Sequence, residues 1–295
     1  MEQKGFKSSF VSIIGKPNVG KSSLMNKLVG ENLSIITAKA QTTRHRIMGI
    51  LNGENYQIVY SDTPGILEPR YSLHEAMMSY VKVSLQDADL ILLVVDPNDQ
   101  YDETLFGRFT RFSTPILLII NKIDLLSAAQ LNDKAVYWKQ HLPNVAEIIP
   151  VSAKTGKHVD GILDKVVQRL PEHPPFFPAD EFTDRSERFF AAEMIREKIF
   201  LNYGEEVPYS CEVSITSFKD EPDILRISAE IFVERDSQKG IIIGKGGSAL
   251  KKVGTEARLD MEAFFGKKVF LETRVKVAEN WRKKRDRFRQ FGYGE

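Results

Sequence analysis

The residues with the clearest chemical signature form a glycine-rich segment near the start of the chain, GKPNVGKS at residues 15–22. The segment matches the pattern G-x-x-x-x-G-K-[ST] and lies between an apolar run, residues 10–14, and a helical stretch, residues 22–28, as a phosphate-binding loop must. Glycines let backbone N–H groups turn towards phosphate oxygens, Lys21 places a positive charge on the β- and γ-phosphates, and Ser22 offers its hydroxyl to Mg²⁺. The predicted loop residues are Gly15, Lys16, Pro17, Asn18, Val19, Gly20, Lys21 and Ser22.

A second motif, NKID at residues 121–124, bears on the choice of base. It ends an apolar strand, which is where doubly wound sheets place their ligands. The carboxylate of Asp124 can accept hydrogen bonds from N1–H and the 2-amino group of guanine, whereas adenine would leave it unpaired in a dry pocket, at a large cost in affinity. Asn121, Lys122, Ile123 and Asp124 therefore predict a guanine nucleotide.

Two shorter motifs are predicted to complete the pocket. DTPG (Asp62, Thr63, Pro64 and Gly65) closes the strand predicted at residues 55–61. Its aspartate is placed to serve the metal, and its glycine to donate an N–H to the γ-phosphate. SAK (Ser152, Ala153 and Lys154) follows the last apolar strand of the first half and is predicted to support the base.

The segment AQTTRHR, residues 40–46, is polar and shows no periodicity, which suits a mobile switch segment. We assign the Mg²⁺-binding threonine in it to Thr43, with Thr42 as the alternative. The predicted metal ligands are then Ser22, Thr43 and Asp62.

A second glycine loop, IIIGKGG at residues 241–247, opens a helix in the second half of the chain. A G-x-x-G loop of this kind lets the backbone of a single-stranded nucleic acid approach closely while the lysine meets its phosphates. Ser248 and two lysines continue the same helix face. The predicted RNA-binding residues of this region are Ile243, Gly244, Lys245, Gly246, Gly247, Lys251 and Lys252.

The last predicted helix lies in a strongly basic segment, WRKKRDRFRQFGY at residues 281–293. Such a cluster favours polyanion binding through counterion release, and Arg282, Lys283 and Arg285 are its predicted RNA contacts. Its aromatic residues, Trp281, Phe288 and Phe291, are suited either to stacking on bases or to packing against the core. An anionic membrane surface is a second possible target of such a segment.

The elements that must position these motifs differ between the two halves. Short apolar runs alternate with helices up to residue 151, which predicts an α/β domain with a mostly parallel sheet. After the proline-rich PEHPPFFPAD, residues 171–180, the order becomes helix, strand, strand, helix, strand and basic helix, a smaller α+β domain. The predicted boundaries are 1–172 for the nucleotide-binding domain, 173–183 for the linker and 184–295 for the RNA-binding domain.

The composition is that of a globular protein without disulfides. Lys and Arg number 41 against 40 Asp and Glu, and hydrophobic residues make up 42%. The single cysteine, Cys211, excludes an intramolecular disulfide and a cysteine-cluster metal site. With no secretory signal at the N-terminus and no apolar stretch of roughly 20 residues, we expect a cytoplasmic protein.

The motifs GKPNVGKS, QTTRH, DTPG, NKID and SAK, in this order and spacing, resemble the five motifs of translation-factor-class GTPases. With the trailing IIGKGG domain, nearly the whole chain resembles the Era family. The resemblance implies a P-loop GTPase domain followed by a type II KH domain, hydrolysis of GTP to GDP with Mg²⁺, and binding of 16S rRNA during maturation of the 30S ribosomal subunit. It implies catalytic roles for Lys21, Thr43 and Gly65, and we expect a monomer.

One departure from the Ras pattern concerns the catalytic water. Ras-type enzymes place a glutamine after DxxG to orient it, but this chain has Ile66, which forms no hydrogen bond through its side chain. Relatives with this substitution, and with an asparagine where this chain has Asn18, use a bound K⁺ to neutralise charge in the transition state. The resemblance thus implies K⁺ beside Mg²⁺, a catalytic role for Asn18, and slow intrinsic hydrolysis.

Three functional hypotheses fit these patterns. In the leading one, RNA and GTP bind with reciprocal coupling. In the second, the chain is a signalling GTPase at the cytoplasmic face of the inner membrane, and its KH-like domain docks a protein; Lys245→Glu would cripple RNA binding but not that docking. In the third, a non-catalytic RNA-binding scaffold holds a nucleotide for stability, although Lys21 and Ser22 argue against it.

Overall fold

The computed structural model of the chain describes residues 5–293, apart from the side chain of Arg289. Its internal contacts divide the chain into two units. The first comprises Met1–Ser34, Thr43–Glu68 and Met77–Asp184, and the second comprises Ile35–Thr42, Pro69–Ala76 and Arg185–Glu295. The outer ends of the two predicted domains, residues 1–4 and 294–295, lie outside the described residues.

The first unit is built on a six-stranded sheet with the order β2-β3-β1-β4-β5-β6. All neighbouring strands are parallel except β2, which runs antiparallel to β3. Every residue of β4 and β5 is buried, as expected for strands covered by helices on both faces. The strands are β1 (Lys7–Gly15), β2 (Ile47–Asn52), β3 (Tyr56–Asp62), β4 (Leu90–Val95), β5 (Ile116–Ile120) and β6 (Glu147–Pro150).

The helices between these strands carry the chain back across the sheet, so the carboxyl ends of the parallel strands lie along one edge. The two 3₁₀ helices of this region, Gly107–Arg111 and Ile123–Leu125, are short. The α-helices are α1 (Lys21–Val29), α2 (Ser72–Asp87), α3 (Glu103–Phe106), α4 (Ala128–His141) and α5 (Asp160–Val167).

The proline-rich segment after α5 is ordered along the open edge of the sheet. Gln57, which is fully buried, accepts hydrogen bonds from the backbone N–H of Phe176 (2.7 Å) and of Phe177 (3.0 Å). Further on, Ile50 N–H donates to Phe182 O at 2.9 Å. The chain just after the segment, at Phe182 and Thr183, therefore pairs with the edge strand β2, and this pairing satisfies backbone groups that an exposed edge would leave open.

The second unit contains a three-stranded sheet with the order β7-β8-β9, in which β7 and β8 are antiparallel and β8 and β9 parallel. Residues spaced four apart on two helices, such as Ile195 and Ile199 on one and Val253 and Ala257 on the other, join its core. Its elements are α6 (Glu187–Asn202), α7 (Val207–Ser210), β7 (Glu212–Asp220), β8 (Ile224–Val233), α8 (Asp236–Ile243), α9 (Ser248–Phe265), β9 (Lys268–Val277) and α10 (Arg285–Gln290).

The first helix of this unit begins later than the sequence suggested. Asp184 and Glu187 resemble a capping pair, but the side chain that caps α6 is Ser186, which accepts from Phe189 N–H. Asp184 instead accepts a hydrogen bond from Met48 N–H at 2.9 Å. Serine is as good an N-cap as aspartate, so Ser186 caps the helix while the Asp184 carboxylate bonds to strand β2.

None of the helices within residues 5–293 combines the length and the apolar character that crossing a bilayer requires.

Candidate nucleotide-binding site and glycine loop

The phosphate-binding loop links the end of β1 at Gly15 to the start of α1 at Lys21. Gly20 has φ of 94°, and a Cβ there would lie 2.3 Å from Asn121 Nδ2; a Cβ on Gly15 would lie 2.3 Å from Val94 O. No side chain caps the first turn of α1, so this helix start is suited to an anion. The loop thus requires glycine at both positions.

Lys21 is almost fully buried at the base of this loop, at 6% exposure. Its Nζ donates to Lys16 O at 2.9 Å. Burial lowers the pKa of Lys21 to about 8, although the nearby carboxylates of Asp62 and Asp99 oppose the shift. A phosphate beside this ammonium group would favour its charged form and raise the pKa of Lys21 again.

The three predicted metal ligands lie together. Ser22 Oγ donates to Asp62 Oδ2 at 2.6 Å and lies 2.9 Å from Thr43 Oγ1. Asp62 is fully buried, burial raises the pKa of its carboxyl, and its Oδ1 has no hydrogen-bond partner among the described residues. Two hydroxyls and a buried carboxylate with a spare oxygen fit the all-oxygen coordination that Mg²⁺ prefers.

The alternative threonine has other partners. Thr42 Oγ1 donates to Lys39 O at 2.8 Å and lies 2.6 Å from Thr37 Oγ1. These bonds close a local turn that does not include Ser22. Of the two threonines, Thr43 is therefore the one whose hydroxyl lies beside that of Ser22.

The DxxG motif continues from β3 against the phosphate loop. A Cβ on Gly65 would lie 2.5 Å from Pro17 N, so only glycine fits there. Ile66 N–H donates to Gly15 O at 3.0 Å. The Ile66 side chain is 3% exposed and belongs to the apolar core, which leaves it no part in orienting a water molecule.

The NKID motif is tied to the other motifs by Asn121. Its Nδ2 donates to Val19 O at 2.8 Å, and its Oδ1 accepts from Ala153 N–H at 2.9 Å. Sequence reasoning placed this residue in the nucleotide pocket but missed this bridging role, which only the folded geometry reveals. The residue joins the phosphate loop, the base motif and the SAK motif.

The carboxylate predicted to recognise the base is exposed and supported on one side. Asp124 Oδ1 accepts a hydrogen bond from Ser152 Oγ at 2.5 Å, and this bond holds the pKa of the Asp124 carboxyl below its usual range. Lys122 has φ of 59°, and its Nζ donates to Asn18 O at 2.7 Å. Of the other predicted residues, Ile123 is buried and Lys154 is exposed.

The predicted switch segment is less open than its polar sequence suggested. Arg44, His45 and Arg46 are 2–6% exposed, and Arg46 forms an ion pair with Asp87 at 2.6 Å. Long cationic side chains can be buried when they find such partners. The expectation of a mobile polar segment therefore does not describe residues 44–46 of this structure.

The residues just before them, Ile35–Thr42, belong to the second unit by their contacts. Within that unit, Glu197 accepts a hydrogen bond from Ile36 N–H at 3.0 Å. The Nζ of Lys39 donates to Phe200 O and Tyr203 O, carbonyls at the C-terminal end of α6, where a helix favours a positive charge.

The second glycine loop lies between α8 and α9. Gly244, Gly246 and Gly247 have φ of 70°, 59° and 77°, and a Cβ on either of the last two would meet nothing within 4 Å. Lys245 is exposed between them, as are Lys251 and Lys252 on the following helix. The loop therefore offers open backbone and positive charge, the features predicted for contact with a nucleic-acid strand.

The aromatic residues of the basic end pack inward. Trp281, Phe288 and Phe291 are 0–7% exposed, and the Phe291 ring lies 5.0 Å from that of Phe232. They stabilise the fold and do not offer rings for base stacking. Burying these three rings removes apolar surface from water, and this favours packing against the core over exposure for stacking on bases.

The predicted basic contacts differ among themselves. Arg282 forms an ion pair with Glu234 and lies over the Tyr71 ring at 5.2 Å. Lys283 is exposed, and Arg285 is exposed with a contact to Glu75 at 3.0 Å. Arg282 and Arg285 are therefore both paired with a glutamate, and of the three predicted contacts Lys283 and Arg285 are exposed to solvent.

Comparisons with known proteins agree with the predicted nucleotide-binding and RNA-binding domains. A family profile described as a 50S ribosome-binding GTPase matches residues 10–122, and one described as a KH domain matches residues 206–282. The GTPase Era of Syntrophus aciditrophicus is 47% identical over 295 residues, with 98% of this chain and 96% of the relative covered. The GTPase Era of Staphylococcus haemolyticus is 43% identical, with 98% of each chain covered.

Two solved structures resemble the chain along nearly its whole length. A crystal structure of Era in complex with MgGDPNP and nucleotides 1506–1542 of 16S ribosomal RNA has a TM-score of 0.95 at 40% identity, covering 98% of this chain and 100% of that one. An Aquifex aeolicus Era variant bound to GDP.AlF4⁻ has a TM-score of 0.94 at 39% identity, with the same coverage. These matches confirm the predicted order of a P-loop GTPase domain and a smaller KH domain.

Proposed function

Because the chain belongs to the Era family of GTPases, we propose that it hydrolyses GTP and binds the 16S rRNA of the small ribosomal subunit during assembly of that subunit. The observation that carries the proposal is the joint presence of a nucleotide site with assembled oxygen ligands and an open G-x-x-G loop on one chain. The relative that holds MgGDPNP and 16S rRNA nucleotides together supports it.

In the proposed site, backbone N–H groups of the loop and Lys21 bind the phosphates, Gly65 N–H binds the γ-phosphate, and Asp124 binds the guanine base. Ser22, Thr43 and Asp62 would hold Mg²⁺. The bound ion would neutralise charge on the β- and γ-phosphate oxygens. Asn121 keeps the three motifs at a fixed separation, so the phosphates and the base are recognised as one ligand.

We extend the proposal to K⁺ as a second cation beside Asn18. Two observations support it: the Ile66 side chain is buried in the core, and Asn18 adopts a left-handed conformation, φ of 63°, with its carbonyl bonded to Lys122. Single-turnover hydrolysis should be faster in K⁺ than in Na⁺ buffer at equal ionic strength. The same rate in both buffers would remove K⁺ from the mechanism and leave the GTPase assignment intact.

The proposed RNA surface centres on Gly244–Gly247 and continues along Lys251, Lys252, Lys283 and Arg285, with Arg282 in a supporting ion pair. We propose domain limits of 1–172, 173–183 and 184–295 and a cytoplasmic monomer. A contact with an anionic membrane stays an alternative for the basic end, and vesicle sedimentation tests it.

The decisive experiment is a reciprocal titration. Affinity for a 16S fragment matching nucleotides 1506–1542 is measured with protein loaded with GDPNP and with GDP, and affinity for GDPNP is measured with and without that RNA. If the sites are coupled, both titrations give the same factor. Binding of RNA without any dependence on nucleotide would reject coupling, and binding no tighter than to an unrelated RNA would reject the rRNA assignment.

A further inference from the structure

The turn after β4, Asp96-Pro97-Asn98-Asp99, lies beside the nucleotide site and was not singled out by any motif. It is fixed by its own hydrogen bonds: Asp96 N–H donates to Asp99 Oδ2 at 2.9 Å, and Asn98 N–H donates to Asp96 Oδ1 at 2.8 Å. Each carboxylate thus uses one oxygen to shape the turn. The other oxygen of each points to a lysine of the nucleotide site.

Asp96 contacts the lysine of the NKID motif. Its Oδ2 lies 2.8 Å from Lys122 Nζ, and the two side chains are only 14% and 32% exposed. The same Nζ donates to Asn18 O at 2.7 Å. The ammonium group is therefore held between a carboxylate on one side and the phosphate loop on the other.

Asp99 faces the phosphate loop from the same turn. Its Oδ1 lies 3.6 Å from Lys16 Nζ, and Lys16 O in turn accepts the hydrogen bond from Lys21 Nζ. Burial raises the pKa of the Asp99 carboxyl. At 3.6 Å this contact is longer and weaker than the 2.8 Å contact between Asp96 and Lys122.

We propose that Asp96 is a positioning residue for the guanine nucleotide, which holds the Lys122 side chain stretched from the base motif to the backbone of Asn18 in the phosphate loop. This inference rests on the proposed function, because it takes Lys122 and Asn18 to be part of the nucleotide site. An ammonium group has three donors, and two of them are fixed by these contacts.

The physical reason is the partial burial of the ion pair. A charge-assisted hydrogen bond in a site with little water is stronger than a neutral one, and its loss would let Lys122 turn towards solvent. The Asn18 carbonyl would then lose the hydrogen bond from Lys122, and the left-handed conformation of Asn18 would lose a constraint. Both changes would make the distance between the base motif and the phosphate loop less fixed, and the nucleotide binds between these two motifs.

The test uses Asp96→Asn in the full-length, nucleotide-free protein. The amide keeps an oxygen to accept from Asn98 N–H but removes the charge that faces Lys122. We expect the Kd for GDP, measured by titration calorimetry, to rise about tenfold. Under steady-state conditions the KM for GTP should rise by more than kcat falls, since the residue does not touch the reacting phosphate.

A double-mutant cycle with Lys122→Met separates positioning from folding. In the Lys122→Met background, Asp96→Asn should not weaken GDP binding any further, because the ammonium group that Asp96 contacts is already absent. Asp133→Asn, on an exposed position of α4, serves as the matched control and should bind GDP like the wild type. Thermal unfolding of each nucleotide-free variant checks that the turn itself is intact.

The outcomes are distinguishable. If Asp96→Asn leaves the Kd unchanged, or weakens GDP equally with and without Lys122, the positioning role is wrong. If Lys122→Met and Asp124→Asn also leave GDP binding unchanged, the proposed nucleotide site itself is wrong. A lower unfolding temperature together with equal losses in both backgrounds would assign Asp96 to folding alone and overturn the inference.

Discussion

The nucleotide site and the second glycine loop both rest on glycines and lysines, but they are held in different ways. In the nucleotide site, Lys21 and Asn121 are buried. Lys21 donates a hydrogen bond to the backbone of its own loop, and Asn121 is hydrogen-bonded to the phosphate loop and to the SAK motif. In the second loop, Lys245 and Gly246 are exposed, and a Cβ at Gly246 would meet no atom within 4 Å. The contacts within the nucleotide site hold its polar groups in place before a ligand binds. The second loop has its shape from its backbone conformation and offers a ligand exposed positive charge.

This difference has an energetic consequence. A ligand of the preorganised site meets polar groups that are already held in place by neighbouring contacts, and it covers them when it binds, so one mismatched atom leaves a polar group of the complex without a hydrogen bond. A ligand of the open loop meets solvated charges, whose contributions are individually small and depend on salt. Substitutions should therefore act sharply in the first region and gradually in the second.

The largest expected effect is a change of base preference in Asp124→Asn. The asparagine can donate to the 2-oxo group of xanthine but cannot accept both guanine donors, so the ratio of GDP to XDP affinities should shift by roughly 10⁴-fold. Titration of both nucleotides measures it, with Asp133→Asn as the control. A variant that still prefers GDP would show that Asp124 does not read the base.

The next effect concerns the metal ligands and distinguishes two adjacent threonines. Thr43→Ala removes an oxygen that lies beside Ser22 and Asp62, and single-turnover hydrolysis at saturating Mg²⁺ should slow roughly a hundredfold. Thr42→Ala removes only the bonds to Thr37 and Lys39 and should stay close to the wild type. The reverse pattern would move the metal to Thr42.

The elements that the sequence predicted are those determined by residues close together along the chain. The buried strands at residues 90–95 and 116–120 were read directly as continuous apolar runs, and the phosphate loop followed from its glycines and their strand-to-helix context. Ser22, Thr43 and Asp62 are far apart in sequence, yet the sheet order brings them together because Ser22 follows β1, Thr43 precedes β2 and Asp62 ends β3 at the same edge.

What the sequence did not predict depends on partners distant along the chain. Asp96 looks like an ordinary turn residue until Lys122 is seen 2.8 Å away. Arg46 reads as a solvated charge until Asp87 pairs with it. The proline-rich linker gives no sign that the buried amide of Gln57 binds its backbone. Such pairings follow from tertiary geometry and leave no periodic signal.

A smaller effect is expected from pH, through Lys21. Its pKa is about 8 in the nucleotide-free chain because burial disfavours the charge, and a bound phosphate favours the protonated form and raises that pKa. Loss of the Lys21 proton should therefore lower GDP affinity as pH rises from 7 through 8, by about tenfold at pH 9 relative to pH 7. Calorimetry in buffers of different ionisation enthalpy should show proton uptake. The control is the pH profile of GDP binding to Lys21→Arg, because a guanidinium stays charged throughout this pH range; an unchanged fall in affinity for that variant would assign the effect to another group.

The smallest effect belongs to the open loop and tests the other side of the comparison. Lys245→Ala should weaken binding of the 16S fragment only about fivefold near 0.1 M salt, and should reduce the slope of log K against log salt by about 0.7, as for one phosphate contact to a single strand. Lys219→Ala, an exposed lysine on β7, is the matched control and should leave both quantities unchanged. A loss of several hundredfold, or a loss independent of salt, would mean that Lys245 forms a specific, desolvated contact when RNA binds. The loop would then resemble the nucleotide site in energetics, and its exposure without ligand would mark a site that becomes ordered only on binding.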